Sequence, residues 1–480
     1  MRKAKCFEDK CQAISISITL LLMSGNVPEA TKVIFDMLKN LGEELPRLIT
    51  PAVIQHHLGK TKSKLAGLSD DDITCYPSMV NPSKKIAMDL LLNLFEAFSV
   101  TGEKASLPIV PLKMIQISLK QGMTALSPVG FAQYGNYLAL VRGEFEEGYR
   151  YVKLALSLMK QMPSRAHDGA IIYDSNHTRL LVEPMQSAVE NYLEAYKAAM
   201  KNGATRNAMK CCFMYDASSF WSGKKLDAVV ESMKATMKQM KYHKNLLMLE
   251  IVLPLYRVAL RLTGQSDTSP QQNQLTDVFG ETRKEGDVGG KLTTLVLTAH
   301  FNGFYEALMF RDFEKARDSV EKFYAEQSQS TLTMSNPMFH RLLYCGLVFF
   351  WISREGNDKK SKERIARGVE YKNEIDKLAM SASAWNFQNK TYLLQAEEQF
   401  SLRNFEAAEA LYDVAIMSSK EHKFVNEEAL ANELAGHFYL ETGRRNRSLP
   451  YFSQAIEKYS EWGAVVKAST LAQYLADSDR

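Results

Sequence analysis

YLLQAEEQFSLRNFEAAEALYDVAIMSSKEHKFVNEEALANELAGHFYLETGRRNRSLPYFSQAIEKYSEWGAVVKASTL, residues 392–471, decides the fold class. Apolar residues return at three- and four-residue spacing across 393–418 and 426–441, the mark of helices that each bury one stripe. Small and aromatic residues recur at matched places. Phe405-Glu-Ala-Ala408 is followed by Tyr412 and Ala415, and Ala396 lies on the helix before them. Forty residues after Ala415 comes Ala455, preceded by Phe452, with Gly443, Tyr439 and Gly436 further upstream. Small residues belong where two helices cross closely, and the aromatics fill the gaps between successive pairs.

The same periodicity extends outward through 84–100 (KKIAMDLLLNLFEAFSV), 186–202 and 225–241. Strict alternation, the mark of a half-buried strand, occurs only at Ile14-Ser-Ile-Ser-Ile-Thr19, inside a segment that otherwise reads as helix. The chain is predicted to be all-α. The paired helices follow the tetratricopeptide pattern, whose period of about 34 residues insertions can lengthen. The expected architecture is a right-handed α-solenoid of tetratricopeptide-like helix–turn–helix repeats. Related marks occur at Gly25…Ala30, Gly143-Glu-Phe145…Ala155, Gly203…Ala208, Gly223…Ala228 and Arg311-Asp-Phe313…Ala316. Ser448 stands where alanine is usual, and Gly203 and Gly223 are only twenty residues apart, which reads as a slip of half a repeat.

Two stretches interrupt the array. Residues 263–291 contain five glycines and few apolar residues, so they read as a long exposed loop between segments 1–262 and 292–480. Residues 68–83 (LSDDDITCYPSMVNPS) read as a second loop. At the start, Arg2, Lys3 and Lys5 precede an apolar run from Ala13 to Met23 that imitates a signal peptide. Glu8, Asp9 and Lys10 separate the two parts, and Ser15, Ser17 and Thr19 interrupt the run, so it reads as a helix of the fold.

The 480 residues are 46% hydrophobic and 24% charged, with 14 Pro and 25 Gly, which excludes fibrous and disordered classes. A formal net charge of +4, from 59 Lys+Arg against 55 Asp+Glu, offers no concentrated basic face for nucleic acid. Six cysteines without a CxxC pair fit a reducing, cytoplasmic setting rather than a disulfide framework. No uncharged apolar run reaches the length of about 18 residues that a membrane span needs.

Three segments carry a more specific resemblance: 45–91 with Tyr76-Pro-Ser-Met79, 111–161 with Ser127-Pro-Val-Gly-Phe-Ala-Gln-Tyr-Gly135, and 392–471. They resemble the helical middle region of very large multidomain signalling proteins of the hybrid histidine-kinase type. In those proteins a protein-kinase-like domain and an AAA-type ATPase precede a tetratricopeptide-like region, and sensor and histidine-kinase domains follow. The resemblance covers essentially the whole chain but none of the catalytic modules. It implies a linker or scaffold that joins an ATPase to an output module.

The chemistry of those modules is missing from the residues. The nearest string to a phosphate-binding loop, Gly289-Gly-Lys-Leu-Thr293, lacks the first glycine and carries Leu after Lys. No His-Arg-Asp or Asp-Phe-Gly string occurs. His56-His57 and His177 lack partners at metal-ligand spacing, and adjacent Cys211-Cys212 on a helix point to different faces. Residues 354–377 hold eight basic and six acidic side chains in mixed order, a solvated helix face, while Leu347-Val-Phe-Phe-Trp-Ile352 reads as core. The 22 methionines read chiefly as core filler. The sequence thus predicts a non-catalytic protein-interaction scaffold with no cofactor or metal, binding protein partners or other domains. The alternatives are a helical enzyme with an unrecognised active site, a fragment of a longer ATPase or histidine kinase, and a spacer with no partner.

Overall fold

A computed structural model describes residues 13–14, 16–18, 20–22, 26–101, 103, 105–162, 164–266, 289–329, 338–355 and 359–478. The described chain is all-α, and among these residues the sole β feature is an isolated bridge between Ser78 and Met123. The N-terminal helices are α1 (Val27–Asn40), α2 (Pro51–Leu65), α3 (Asp70–Thr74), α4 (Pro82–Thr101), α5 (Ile109–Gln121) and α6 (Ser127–Asn136). A π-helical turn, Tyr137–Val141, continues α6. Then follow α7 (Phe145–Gln161), α8 (Asp168–Val182), α9 (Met185–Ala188), α10 (Glu190–Lys201), α11 (Thr205–Trp221), α12 (Leu226–Tyr242) and α13 (Leu246–Thr263). The remaining helices are α14 (Gly289–Met309), α15 (Phe313–Gln329), α16 (Met338–Ser353), α17 (Lys359–Ser381) and α18 (Ala384–Ser401). The chain closes with α19 (Phe405–Glu421), α20 (Val425–Glu441), α21 (Arg445–Trp462) and α22 (Val465–Ser478).

Consecutive helices pack on one another from α10 to α22, which makes the array a solenoid. Eight of its turns share one geometry. The residue just past the helix is left-handed at Gly203, Gly223, Lys244, Arg311, Arg403, Lys423, Gly443 and Gly463. The next amide donates back to the carbonyl five residues earlier, as in Asn404 N to Gln399 O (2.9 Å), Phe424 N to Ser419 O (2.9 Å) and Arg444 N to Tyr439 O (2.8 Å). From Arg403 to Gly463 these turns fall twenty residues apart, so the unit is one helix plus one turn and the helix pair repeats every forty. The twenty-residue gap between Gly203 and Gly223 is therefore the regular spacing and not a slip of half a repeat. Four of these turns use a cation instead of glycine. A positive side chain suits the carbonyl end of a helix, which offsets the backbone strain.

The repeat positions lie in the packing as follows. Ala396, Ala408, Tyr412, Ala415, Tyr439, Phe452 and Ala455 are buried, whereas Phe405 is 41% exposed at the start of α19. A Cβ on Gly436 would lie 2.8 Å from the ring of Phe452, so the crossing of α20 and α21 has no room for a side chain. Gly443 occupies a turn, at φ 77°. Ser448 is buried at its alanine position because its hydroxyl donates to Arg445 O (2.7 Å).

Two large cores form. One gathers residues from Ile18 to Ile171, and the other runs from Ala139 to Leu471. The second core continues from one side of 263–291 to the other, although most of that stretch, 267–288, lies outside the described residues. Leu347–Ile352 is buried within it. The stretch 68–83 holds α3, started by a capping box between Ser69 and Asp72. Its Tyr76-Pro-Ser-Met79 end is clasped by Met123 N to Pro77 O (2.8 Å) and Met79 N to Met123 O (2.9 Å). Gly122 permits this, since a Cβ there would lie 2.6 Å from Pro77 O and its φ is 101°. Among the described residues, no helix is long and apolar enough to cross a membrane.

Candidate binding channel

Helix faces in different parts of the chain have different fates. In the C-terminal repeats one face of α18 and of α20 is covered by the chain itself. Asn386 on α18 accepts from Met185 N (3.0 Å) and donates to Glu183 O (2.7 Å) and Leu180 O (3.1 Å), so it clasps the break between α8 and α9. Gln186 donates to His422 O (3.1 Å) and accepts from Trp385 Nε1 (3.2 Å). Asn426 donates to Trp221 O (3.3 Å) at the end of α11.

Ionic groups inside this face are paired, although Glu427 Oε1 and Asn426 Oδ1 are buried with no hydrogen-bond partner among the described residues. Lys390 meets Glu427 at 2.7 Å with both side chains buried, and Asn389 donates to the same carboxylate. Glu433 receives Lys467 and the Tyr459 hydroxyl (2.6 Å), and Glu397 receives Arg354 (2.6 Å) and the Tyr412 hydroxyl (2.6 Å). Burial works against the Glu433 carboxylate, but Lys467 and His437 beside it hold it down at about 2.

Between the N-terminal helices and α14 lies a cavity of about 940 Å³, lined by residues of α4, α5, α6, α8, α11, α13 and α14, with Arg341 from α16. That size suits a ligand or a few residues of a peptide. Leu92, Phe95, Val129, Leu140, Phe213, Met214, Trp221, Leu255 and Phe301 supply apolar wall. The π turn contributes here. It places Leu140 and Val141 on the wall and closes with Arg142 N donating to Tyr137 O (3.2 Å).

Two polar patches interrupt that wall. At the first, Gln133 Nε2 donates to Asp174 Oδ2 (3.1 Å) and Asn136 Nδ2 to Asp174 O (2.7 Å), while Thr178 donates to Asn136 Oδ1 (2.8 Å). Lys210 pairs with Glu96 at 3.5 Å. Burial pushes the Asp174 carboxyl up to about 7, with Gln133 and Lys210 opposing the rise. Lys210 holds Glu96 below its usual range. At the second patch, Asn302 Nδ2 donates to Thr298 O (2.8 Å), and the Arg341 guanidinium lies 5.4 Å from the Phe301 ring. Two side-chain oxygens on these patches, Gln133 Oε1 and Asn302 Oδ1, are buried with no hydrogen-bond partner among the described residues.

His177 also lines the cavity. Its Nδ1 lies 2.8 Å from Tyr173 O, and burial depresses its imidazole to about 4, so the ring is neutral. Among the described residues no group of three or more His, Cys, Asp or Glu is placed to hold a metal ion. Next to His56, the His57 carbonyl takes Gln116 Nε2 (3.1 Å) and the Thr61 hydroxyl (2.9 Å). Burial pushes the Cys211 and Cys212 thiols up to about 12, which leaves both unreactive. The charges of 354–377 pair across helices as well as within them: Arg364 reaches Glu321 and Lys372 reaches Glu398, each at 2.8 Å.

Sequence reading singled out none of Glu96, Gln133, Asp174, Lys210 or Asn302 as functional. Their one legible signal is a polar residue inside an apolar stretch, as with Gln133 in SPVGFAQYG and Asn302 in LVLTAHFNGFY. That signal is weak, because the residues come from five different helices.

No protein-family model matches the chain, and no curated protein sequence matches it. Among solved structures, one that resembles it is a Rap protein complexed with competence and sporulation factor, at 7% identity and a TM-score of 0.36. The alignment covers 95% of this chain and 99% of that one. So loose a superposition adds nothing to the fold, which rests on the helix pairs themselves.

Proposed function

We propose that the protein is a non-catalytic binding module that takes a short peptide segment of a protein partner into the channel between α4 and α14. The observation that carries this is the cavity itself, which joins a broad apolar wall to two polar patches. Buried acceptors without a partner occur on the covered face too, at Asn426 Oδ1 and Glu427 Oε1, but Gln133 and Asn302 carry theirs on side chains that line the cavity. A peptide backbone and its side chains supply donors and apolar surface together. The resemblance to the helical region of large signalling proteins supports a place between an ATPase and an output module, in a cytoplasmic assembly. The same role holds for a stand-alone chain and for a segment of a longer one.

A displayed random-heptapeptide library tests the reading. Selected peptides should bind the protein and lose binding when Ala170→Trp fills the channel from α8. Peptides that bind the filled variant equally well, or a selection with no enrichment, would overturn it. The rival reading, a helical enzyme, draws on Asp174, whose carboxyl near 7 has the range of an acid–base group. Turnover of a bound ligand that Asp174→Asn abolishes would favour that reading.

A further inference from the structure

We propose that the patch formed by Asp174 and Gln133 is an anchor for a cationic group, so that the channel selects peptides carrying a Lys or Arg among apolar residues. This rests on the channel being the binding site. Three observations lead to it. First, among the described residues Asp174 forms no ion pair: Lys210, whose charge acts on its carboxyl, is joined to Glu96 at 3.5 Å, and Gln133 Nε2 is the side-chain donor that reaches the Asp174 carboxylate. Second, Gln133 Oε1 is buried without a partner. Its direction is fixed, because the other end of the same amide donates to Asp174 Oδ2 at 3.1 Å. Third, both side chains line the cavity, with Val129, Leu140 and Phe213 supplying apolar surface in the same channel.

The chemistry of the occupant follows from these groups. When ionised, the Asp174 carboxylate and the partnerless carbonyl oxygen of Gln133 place acceptors side by side. An ammonium offers three N–H donors and a guanidinium five, and each brings the charge that Asp174 lacks. An anion would meet Asp174 and Glu96, and a hydroxyl would supply one donor without charge. The raised Asp174 carboxyl agrees with a group whose loss of water outweighs what Gln133 and Lys210 return to it. The charged groups around it are Glu96 on α4 and Lys210 on α11, with Arg206 exposed at the rim of the cavity. Arg341 stands with Asn302 at the second patch.

Peptides chosen by display for dependence on the channel, then synthesised with capped ends, supply the probes. Each should contain Lys or Arg and should weaken by about tenfold or more when that residue becomes norleucine. Asp174→Asn should weaken the parent peptides by a similar factor and leave the norleucine versions unchanged. Gln133→Met, which removes the second acceptor, should act in the same direction and decides the matter if Asp174→Asn fails to fold. Channel-dependent peptides without a basic residue, or a preference for one that survives both substitutions, would overturn the anchor while leaving the channel as the binding site. No channel-dependent peptide at all would overturn both.

Discussion

The covered face of α18 and α20 and the open channel between α4 and α14 are built from the same material. Both place amides, carboxylates and ammonium groups on inward helix faces. They differ in what those groups meet. Lys390 and Glu427 are shut away together, and Asn386 is saturated by the backbone near residue 183. Each region holds buried acceptors without a partner, Asn426 Oδ1 and Glu427 Oε1 in the first and Gln133 Oε1 and Asn302 Oδ1 in the second. Only in the second do they lie on side chains that line the cavity, where Lys210 and Glu96 keep side-chain exposures of 29% and 31%. Polar groups on a helix face therefore do not by themselves mark a binding site. They mark one when the fold leaves them unmatched beside a space.

The largest expected effect tests the covered face. Glu427→Gln strips the counter-charge from Lys390, which is fully buried, and should cost about 3–5 kcal/mol in urea denaturation. Glu96→Gln in the channel should cost clearly less, because water in the cavity can solvate Lys210. Equal losses would erase the distinction between the two regions.

The next test uses pH. Burial raises the Asp174 carboxyl from 3.8 to about 7, so the folded state keeps a proton that the unfolded chain releases. A raised carboxyl stabilises the fold only at low pH, and that contribution disappears as pH climbs from about 4 through 7. Asp174→Asn should therefore stabilise the protein by roughly 1–3 kcal/mol at pH 8 and by much less at pH 5. A thermal melt series across that range reads the difference, and a gain independent of pH would show that Asp174 is not buried as an anion. Stabilisation combined with weaker binding is the usual sign of a functional residue.

Packing in the repeats gives a smaller effect. Ala408 is buried in α19, whereas Ala410 is exposed on the same helix. Ala408→Leu should cost about 1–3 kcal/mol by overpacking. Ala410→Leu should stay within about 0.5 kcal/mol. The loss at Ala408 should appear first as faster hydrogen exchange in 392–461. Equal tolerance of the two would show that the helix phase is wrong.

The last test leaves stability untouched. We propose that 263–291 is the exposed join between two segments, so limited proteolysis should cut there first. First cuts within 393–461 would place the weak point in the repeats instead.

The sequence alone determined the helices and the small residues that let them cross. These are local properties, written at three- and four-residue spacing, and Ala408, Ala415 and Ala455 are legible without knowing what lies beyond the next helix. The turns were half legible, because Gly203, Gly223 and Gly443 announce a left-handed residue while Lys244, Arg403 and Lys423 take the same conformation without glycine. Only the tertiary structure decided which inward face is covered and which stays open. Asn386 meets residues 180–185, some two hundred positions earlier in the chain, and Gln133 meets Asp174 across two helices. Gln133 and Asp174 are one helix pair apart, but partners as distant as those of Asn386 depend on how many units stack together, which no single repeat encodes.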